Sequence, residues 1–249
     1  VDAHCHLESM RFDSDRDEVV AGAVNAGAVV IVNSGTDPER NRETLDLSRK
    51  YGVVKASLGW YPIGNFSKNI DSEIAWIEEH QGECVAIGEI GLDFDTEERK
   101  ASFDRQKEMF VKMIRLAKKL GKPIVTHTRK AEREAIEILE EEGCKDYPVM
   151  MHCFCGRKSL IKRCVENGWF LTVPPVVTRW QNFRVTAKLV PLEQLLTETD
   201  APYLSPVVGK RNDSSNIPLA ITEIAKIKEV SEEEVWKQIF NNARAFFKL

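Results

Sequence analysis

Eight short runs rich in Val, Ile and Leu recur along this chain of 249 residues, each followed by a longer stretch with helical periodicity. They are Val1–His6, Ala28–Asn33, Val53–Leu58, Cys84–Ile90, Pro123–Thr128, Val149–Phe154, Trp169–Val173 and Leu195–Thr199. Strands buried on both faces read as near-continuous apolar runs. Their regular alternation with helices argues for parallel strands joined by crossovers. Eight such units favour closure into an α/β TIM-type (β/α)8 barrel, allowing for distortion, over an open doubly wound sheet. Barrels of this kind take about 250 residues as one unit, so residues 1–249 are expected to form a single domain. No G-x-G-x-x-G or phosphate-loop motif follows any strand, which weakens nucleotide-binding alternatives.

The helical stretches carry end signals. Asp37-Pro38 offers an N-cap followed by proline, and Gly52 closes that helix. Gly27, Gly82, Gly121, Gly143 and Gly168 each stand where a helix should stop before the next strand. Ser231 with Glu234 forms a capping box. The longest helix is predicted over Glu97–Leu120, burying Phe103, Met109, Phe110, Met113, Ile114 and Ala117. One irregular stretch, Pro202–Pro218, is long enough to be a functional loop.

Composition narrows the class. The 43% hydrophobic fraction supports a sizeable core, and the net charge of −4 does not indicate a bulk-basic nucleic-acid binder, although a local basic rim is compatible with it. The six cysteines lack disulfide-framework spacing and point to free thiols in a reducing interior. No apolar run approaches the roughly 18 residues of a membrane span. No signal peptide is visible. The expectation is a soluble cytoplasmic protein without a membrane partner, for which a monomer is compatible.

The chemistry concentrates at strand ends. In Val1-Asp2-Ala3-His4-Cys5-His6, residues two apart share a face, so His4 and His6 aim at one point while Cys5 faces away. His127 ends the fifth run and His152 the sixth; Glu89 closes the fourth and Asp200 the eighth. Only His80 lies elsewhere, near a helix end, where capping suffices. In a β/α barrel the C-terminal strand ends open onto one face, which carries the active site. Singly, each of these residues has an ordinary explanation as a satisfied polar group or salt-bridge partner. Six of them converging is another matter, because two carboxylates buried together without a cation would be costly. Six ligands exceed the three that a single catalytic zinc uses, so up to two divalent cations sharing a bridging carboxylate are expected. The imidazoles favour Zn, Mn, Fe or Ni, whereas Mg prefers oxygen, and the metal is left open among Mg, Mn and Zn.

This ordered set resembles the TatD-type metal-dependent DNase family within the amidohydrolase-like barrel superfamily. The motifs are His4-Cys5-His6, Gly88-Glu89-Ile90-Gly91-Leu92-Asp93, His127-Thr128-Arg129, His152-Cys153-Phe154 and Thr199-Asp200-Ala201-Pro202-Tyr203, with Phe103 and Gln106 also matching. The resemblance implies a barrel enzyme that uses divalent cations to hydrolyse DNA phosphodiesters, often from a 3′ end. It implies His4, His6, Glu89 and Asp200 around one metal and Glu89, His127 and His152 around the second, with Asp200 orienting or deprotonating the attacking water. The chain departs from the family pattern at Tyr61, where many relatives carry histidine in a His-Pro pair, at Cys155, where serine is common, and in the longer polar stretch Gly209–Pro218.

DNA is therefore the expected substrate. Arg129, Arg157, Arg179, Lys210 and Arg211 are candidates to receive phosphates, and Trp60, Tyr61, Trp180 and Tyr203 to stack bases. The loop carrying Lys210 and Arg211 reads as a mobile flap at the barrel mouth. The alternative is an amidohydrolase or small phosphoester hydrolase on the same dinuclear site. Glu89 speaks against the subgroup that bridges its metals with a carbamylated lysine, and retention of the ligand set and Asp200 speaks against a scaffold without turnover.

Overall fold

A computed structural model describes all residues from Val1 to Leu249. Its eight strands are β1 (Asp2–Cys5), β2 (Ile31–Ser34), β3 (Val54–Trp60), β4 (Cys84–Asp93), β5 (Ile124–Arg129), β6 (Val149–Met151), β7 (Phe170–Val173) and β8 (Leu195–Thr197). They pair in parallel and in sequence order within one sheet, as the alternation implied. Between β1 and β8 the barrel is closed by the chain following β8 rather than by a ladder. Asp200 N–H donates to the His4 carbonyl at 3.0 Å, and His6 N–H donates to the Ala201 carbonyl at 2.7 Å.

Ten helices surround the sheet: α1 (Arg16–Asn25), α2 (Pro38–Lys50), α3 (Ile70–Glu79), α4 (Glu97–Ala101), α5 (Phe103–Leu120), α6 (Glu132–Glu141), α7 (Lys158–Glu166), α8 (Gln181–Leu189), α9 (Ile217–Lys228) and α10 (Glu232–Phe247). None is long and apolar enough to cross a membrane. The expected caps form: Asp37 accepts from Arg40 N–H, and Ser231 accepts from Glu234 N–H.

Two details differ from the sequence expectation. The helix predicted over Glu97–Leu120 breaks at Ser102 into α4 and α5. Its cause is Gln106, whose amide nitrogen donates to the carbonyls of Asp93 and Arg99 and whose oxygen accepts from Asp93 N–H, so the start of α5 is spent on fixing the end of β4. Gly82 does not end α3. His80 does, its Nδ1 bonded to the Trp76 carbonyl at 2.8 Å, and Gly82 lies inside the short 3-10 turn that follows.

The strand pattern also positions the site. Val32, Ala86, Val125, Met150 and Leu196 cluster inside the barrel, and Phe246 and Phe247 of α10 pack on the same cluster. Two residues further along each of these strands, on the same face, stand Ser34, Gly88, His127, His152 and Glu198. The lumen is thus apolar below and polar at its C-terminal mouth. Cys5 points the other way, into the layer of Phe12, Val20 and Ala23.

Candidate metal centre

At that mouth the six expected ligands meet. Their atoms form three overlapping groups, each lying within 4.8 Å: His4, His6 and Glu89; Glu89, His127 and His152; and His4, His152 and Asp200. Glu89 stands between the two sides. Its Oε2 lies 3.6 Å from His4 Nε2 and 3.4 Å from His6 Nε2, while its Oε1 lies 2.6 Å from His127 Nδ1 and 3.2 Å from His152 Nε2. Asp200 Oδ1 is 3.7 Å from His4 Nε2 and 3.5 Å from His6 Nε2, and the two histidine Nε2 atoms are 3.2 Å apart. Bonds of about 2.1 Å to a tetrahedral ion put ligand atoms about 3.4 Å apart, so the donor set fits a cation of that size.

Hydrogen bonds settle which imidazole nitrogen faces this centre. His6 Nδ1 donates to the Ser34 carbonyl at 3.0 Å, and His152 Nδ1 donates to Glu198 at 3.1 Å. His4 Nδ1 meets Ser34 Oγ at 3.1 Å. For His127 the roles are reversed. Its Nε2 lies 3.2 Å from Tyr61 Oη, whose own proton goes to Asp93 at 2.9 Å, so Nε2 carries hydrogen and Nδ1 faces Glu89. The rings of His6, His127 and His152 then aim a lone pair inward, each tautomer fixed by the partner on the outer nitrogen, and His4 does the same when Ser34 Oγ accepts from its Nδ1. Lone pairs and carboxylate oxygens packed this closely repel one another unless a cation lies among them.

Taken alone, these buried protein groups perturb one another strongly. Burial alone would raise the Glu89 pKa, but His127 and His152 against it hold it well below the usual carboxylate value. Burial would likewise lower His6 and His152; Asp200, Glu8 and Glu89 raise the first well above normal, and Glu198 and Glu89 the second. His4, desolvated and beside His152, is held well below the ordinary imidazole value. The carboxylates thus draw positive charge onto His6 and His152, the charge that a bound cation would supply in their place.

The motif around Glu89 has a backbone reason. A Cβ on Gly88 would lie 2.4 Å from that of Val125, and one on Gly91, whose φ is +150°, would lie 1.9 Å from the His127 carbonyl oxygen. Glycine on both sides of Glu89 lets β4 press against β5 and bring Glu89 to His127. Gly91→Ala is expected to destabilise the protein by about 2 kcal/mol or more through this clash and the unfavourable φ. That corresponds to a Tm drop of roughly 4–8 °C. Less metal should bind beside His127; an unchanged Tm and metal stoichiometry would refute this account.

A cleft of about 640 Å³ opens over the centre. Of the sequence candidates for substrate contact, Tyr61, Arg129 and Tyr203 line it. Arg129 is exposed and pairs with Asp95 at 3.2 Å. Lys210, Arg211, Arg157, Arg179 and Trp180 are not in the lining. Arg211 pairs with Asp15 through both terminal nitrogens and lies over the Phe12 ring, which makes it a staple between the loop and α1. The loop is not a free flap: Asn212 is buried on the Thr199 carbonyl and Ser214 on Asp2. Trp60 is buried, donating to Met109 sulfur, and has no face free for a base. The cleft also holds groups the sequence reading passed over, among them Glu8, Arg40 and Lys68. Glu8 had one available signal: it continues the two-residue spacing of His4 and His6.

Comparison with known proteins gives a consistent result. The family described as TatD related DNase matches residues 1–248. The chain is 38% identical over 250 residues to an uncharacterized metal-dependent hydrolase of Methanocaldococcus jannaschii, covering 100% of this chain and 96% of that protein. It is 34% identical over 262 residues to the deoxyribonuclease TATDN3 of Homo sapiens, covering 99% and 94%. Among solved structures, YJJV, a TatD homologue from Escherichia coli K12, superposes with a TM-score of 0.91 at 25% identity, covering 100% of this chain and 97% of that one.

Proposed function

This chain belongs to the TatD-related DNase family of metal-dependent hydrolases, and from that premise we propose that it is a divalent-metal-dependent deoxyribonuclease that shortens DNA from a 3′ end. The observation that carries the reading is Glu89, with one carboxylate oxygen toward His4 and His6 and the other toward His127 and His152. In this reading up to two cations are held, the first by His4, His6, Glu89 and Asp200, the second by Glu89, His127 and His152. Imidazole-rich coordination favours Zn or Mn over Mg. Bound cations supply a water acidified enough to attack phosphorus and a positive charge for the leaving oxygen.

The protein groups do the rest. Asp200 orients the attacking water and accepts its proton. Arg129, at the edge of the cleft, meets a backbone phosphate, and the exposed ring of Tyr203 offers a stacking face that does not depend on sequence. The reading is tested by incubating the protein with 5′-labelled single-stranded and duplex DNA and with small phosphate esters and amides, across Mg, Mn, Co and Zn. Stepwise loss from the 3′ end, abolished by chelation, is expected. Turnover of small phosphate esters or amides with DNA left intact would overturn it. Arg129→Ala should weaken cleavage of all DNA sequences alike and reduce the salt slope by about one phosphate contact. Lys210→Ala, outside the cleft lining, should leave that slope unchanged.

A further inference from the structure

The carboxylate of Glu8 has no function in the scheme above, yet it is 7% exposed and lines the same cleft as the metal ligands. Its Oε1 lies 3.3 Å from His6 Nδ1, but the Ser34 carbonyl is nearer to that nitrogen, at 3.0 Å. Its Oε2 is buried and no protein donor reaches it. Neither of the cations that line the cleft beside it, Arg40 and Lys68, reaches the carboxylate. Arg40 Nη1 donates to the main-chain carbonyl of Glu8 at 3.2 Å and to Glu43 at 2.6 Å. Lys68 pairs with Glu39 and Asp37. Leaving one buried carboxylate oxygen unpaired costs more than an ordinary hydrogen bond returns, so this position calls for a donor from outside the chain.

The chemistry of that donor is constrained. A phosphate would be repelled by Glu8, so the substrate group here is a hydroxyl or an amine. Glu8 stands one imidazole ring away from the point where His6 Nε2 meets Glu89. A nucleotide whose 5′-phosphate sat at that point, with its sugar turned to the Glu8 side of the cleft, would bring its 3′-hydroxyl beside Glu8.

We infer that Glu8 is a specificity-determining residue that accepts a hydrogen bond from the free 3′-hydroxyl of the terminal nucleotide. The identity of the ligand rests on the DNase reading, and the need for a donor rests on the geometry. Such a contact makes the enzyme select chain ends: an internal nucleotide, or an end bearing a 3′-phosphate, brings negative charge against the Glu8 carboxylate. It ties the 3′-end preference to one residue of this chain.

The test is equilibrium binding to the manganese-loaded protein of thymidine 5′-monophosphate, its 2′,3′-dideoxy analogue and thymidine 3′,5′-bisphosphate, with metal content measured alongside. The dideoxy analogue should bind roughly 10- to 100-fold more weakly, as expected for loss of a hydrogen bond to a charged group, and the bisphosphate should also bind more weakly. In Glu8→Gln the first gap should shrink and the second shrink or reverse, with metal content retained. Equal affinities in the natural protein, or gaps unchanged in the variant, overturn the inference while leaving DNA cleavage as the test of the broader reading. A fall in metal content with the hydroxyl preference intact would assign Glu8 to His6 support alone and also overturn it. If the preference holds and depends on Glu8 while no DNA is cleaved, Glu8 remains a nucleotide contact and the DNase reading falls.

Discussion

Replacing Glu89 with glutamine should remove metal-dependent turnover, with a fall of roughly 10³-fold or more, beyond the 10- to 100-fold typical of partners outside the ligand sphere. The carboxylate is 2% exposed, and each of its oxygens serves a different pair of histidines. Glutamine keeps the shape but offers one oxygen and one NH2 group, which has no lone pair for a cation. It also deletes the negative charge on which both sides depend. Metal analysis should show loss at both positions together, since Glu89 is the ligand common to the two proposed cation positions. Far-ultraviolet circular dichroism should be unchanged, because the packing of Gly88 and Gly91 against β5 does not involve the carboxylate. A variant that keeps its full metal content and turns over normally would refute the bridging role.

Much of this was legible from residue order because it depends on local rules. Strands buried on both faces need apolar runs, so all eight announced themselves. His4, His6, His127 and His152 could be placed together because a barrel gathers its strand ends whatever their separation in sequence. Boundaries were less accessible. His6 and His152 lie just beyond β1 and β6, and β4 continues past Glu89 to Asp93. The split between α4 and α5 depended on Gln106 reaching back to β4, a contact that helical periodicity does not encode.

The outer partners were harder to see, since each is decided by long-range contact. Glu198 reaches His152 across 46 residues of sequence, and Arg211 reaches Asp15 across 196. A run such as Lys210-Arg211 has the same composition whether it meets substrate or a neighbouring helix, and only the fold distinguishes them. Tyr61 was seen as a departure from the family pattern, but its part in fixing the His127 tautomer through Asp93 required coordinates.

Asp200→Asn separates chemistry from architecture. The residue is set by its backbone: N–H on the His4 carbonyl, φ of +53°, and the preceding Thr199 held by Asp2 through both its N–H and its hydroxyl. None of these contacts uses the Asp200 carboxylate, whose side chain is 16% exposed at the floor of the cleft. Asparagine therefore preserves the fold, and its tolerance of positive φ preserves the turn. What disappears is the charge beside His4 and His6 and the oxygen able to take a proton from water. Turnover should fall roughly 10²-fold or more, the lower end of general-base effects. His4, His6 and Glu89 still supply three ligands, so the first cation should remain titratable at higher concentration, and saturating metal should not restore the rate. Thermal unfolding in the presence of chelator should match the natural protein. Near-normal turnover in this variant at saturating metal would remove Asp200 from the catalytic step and leave it as a ligand alone.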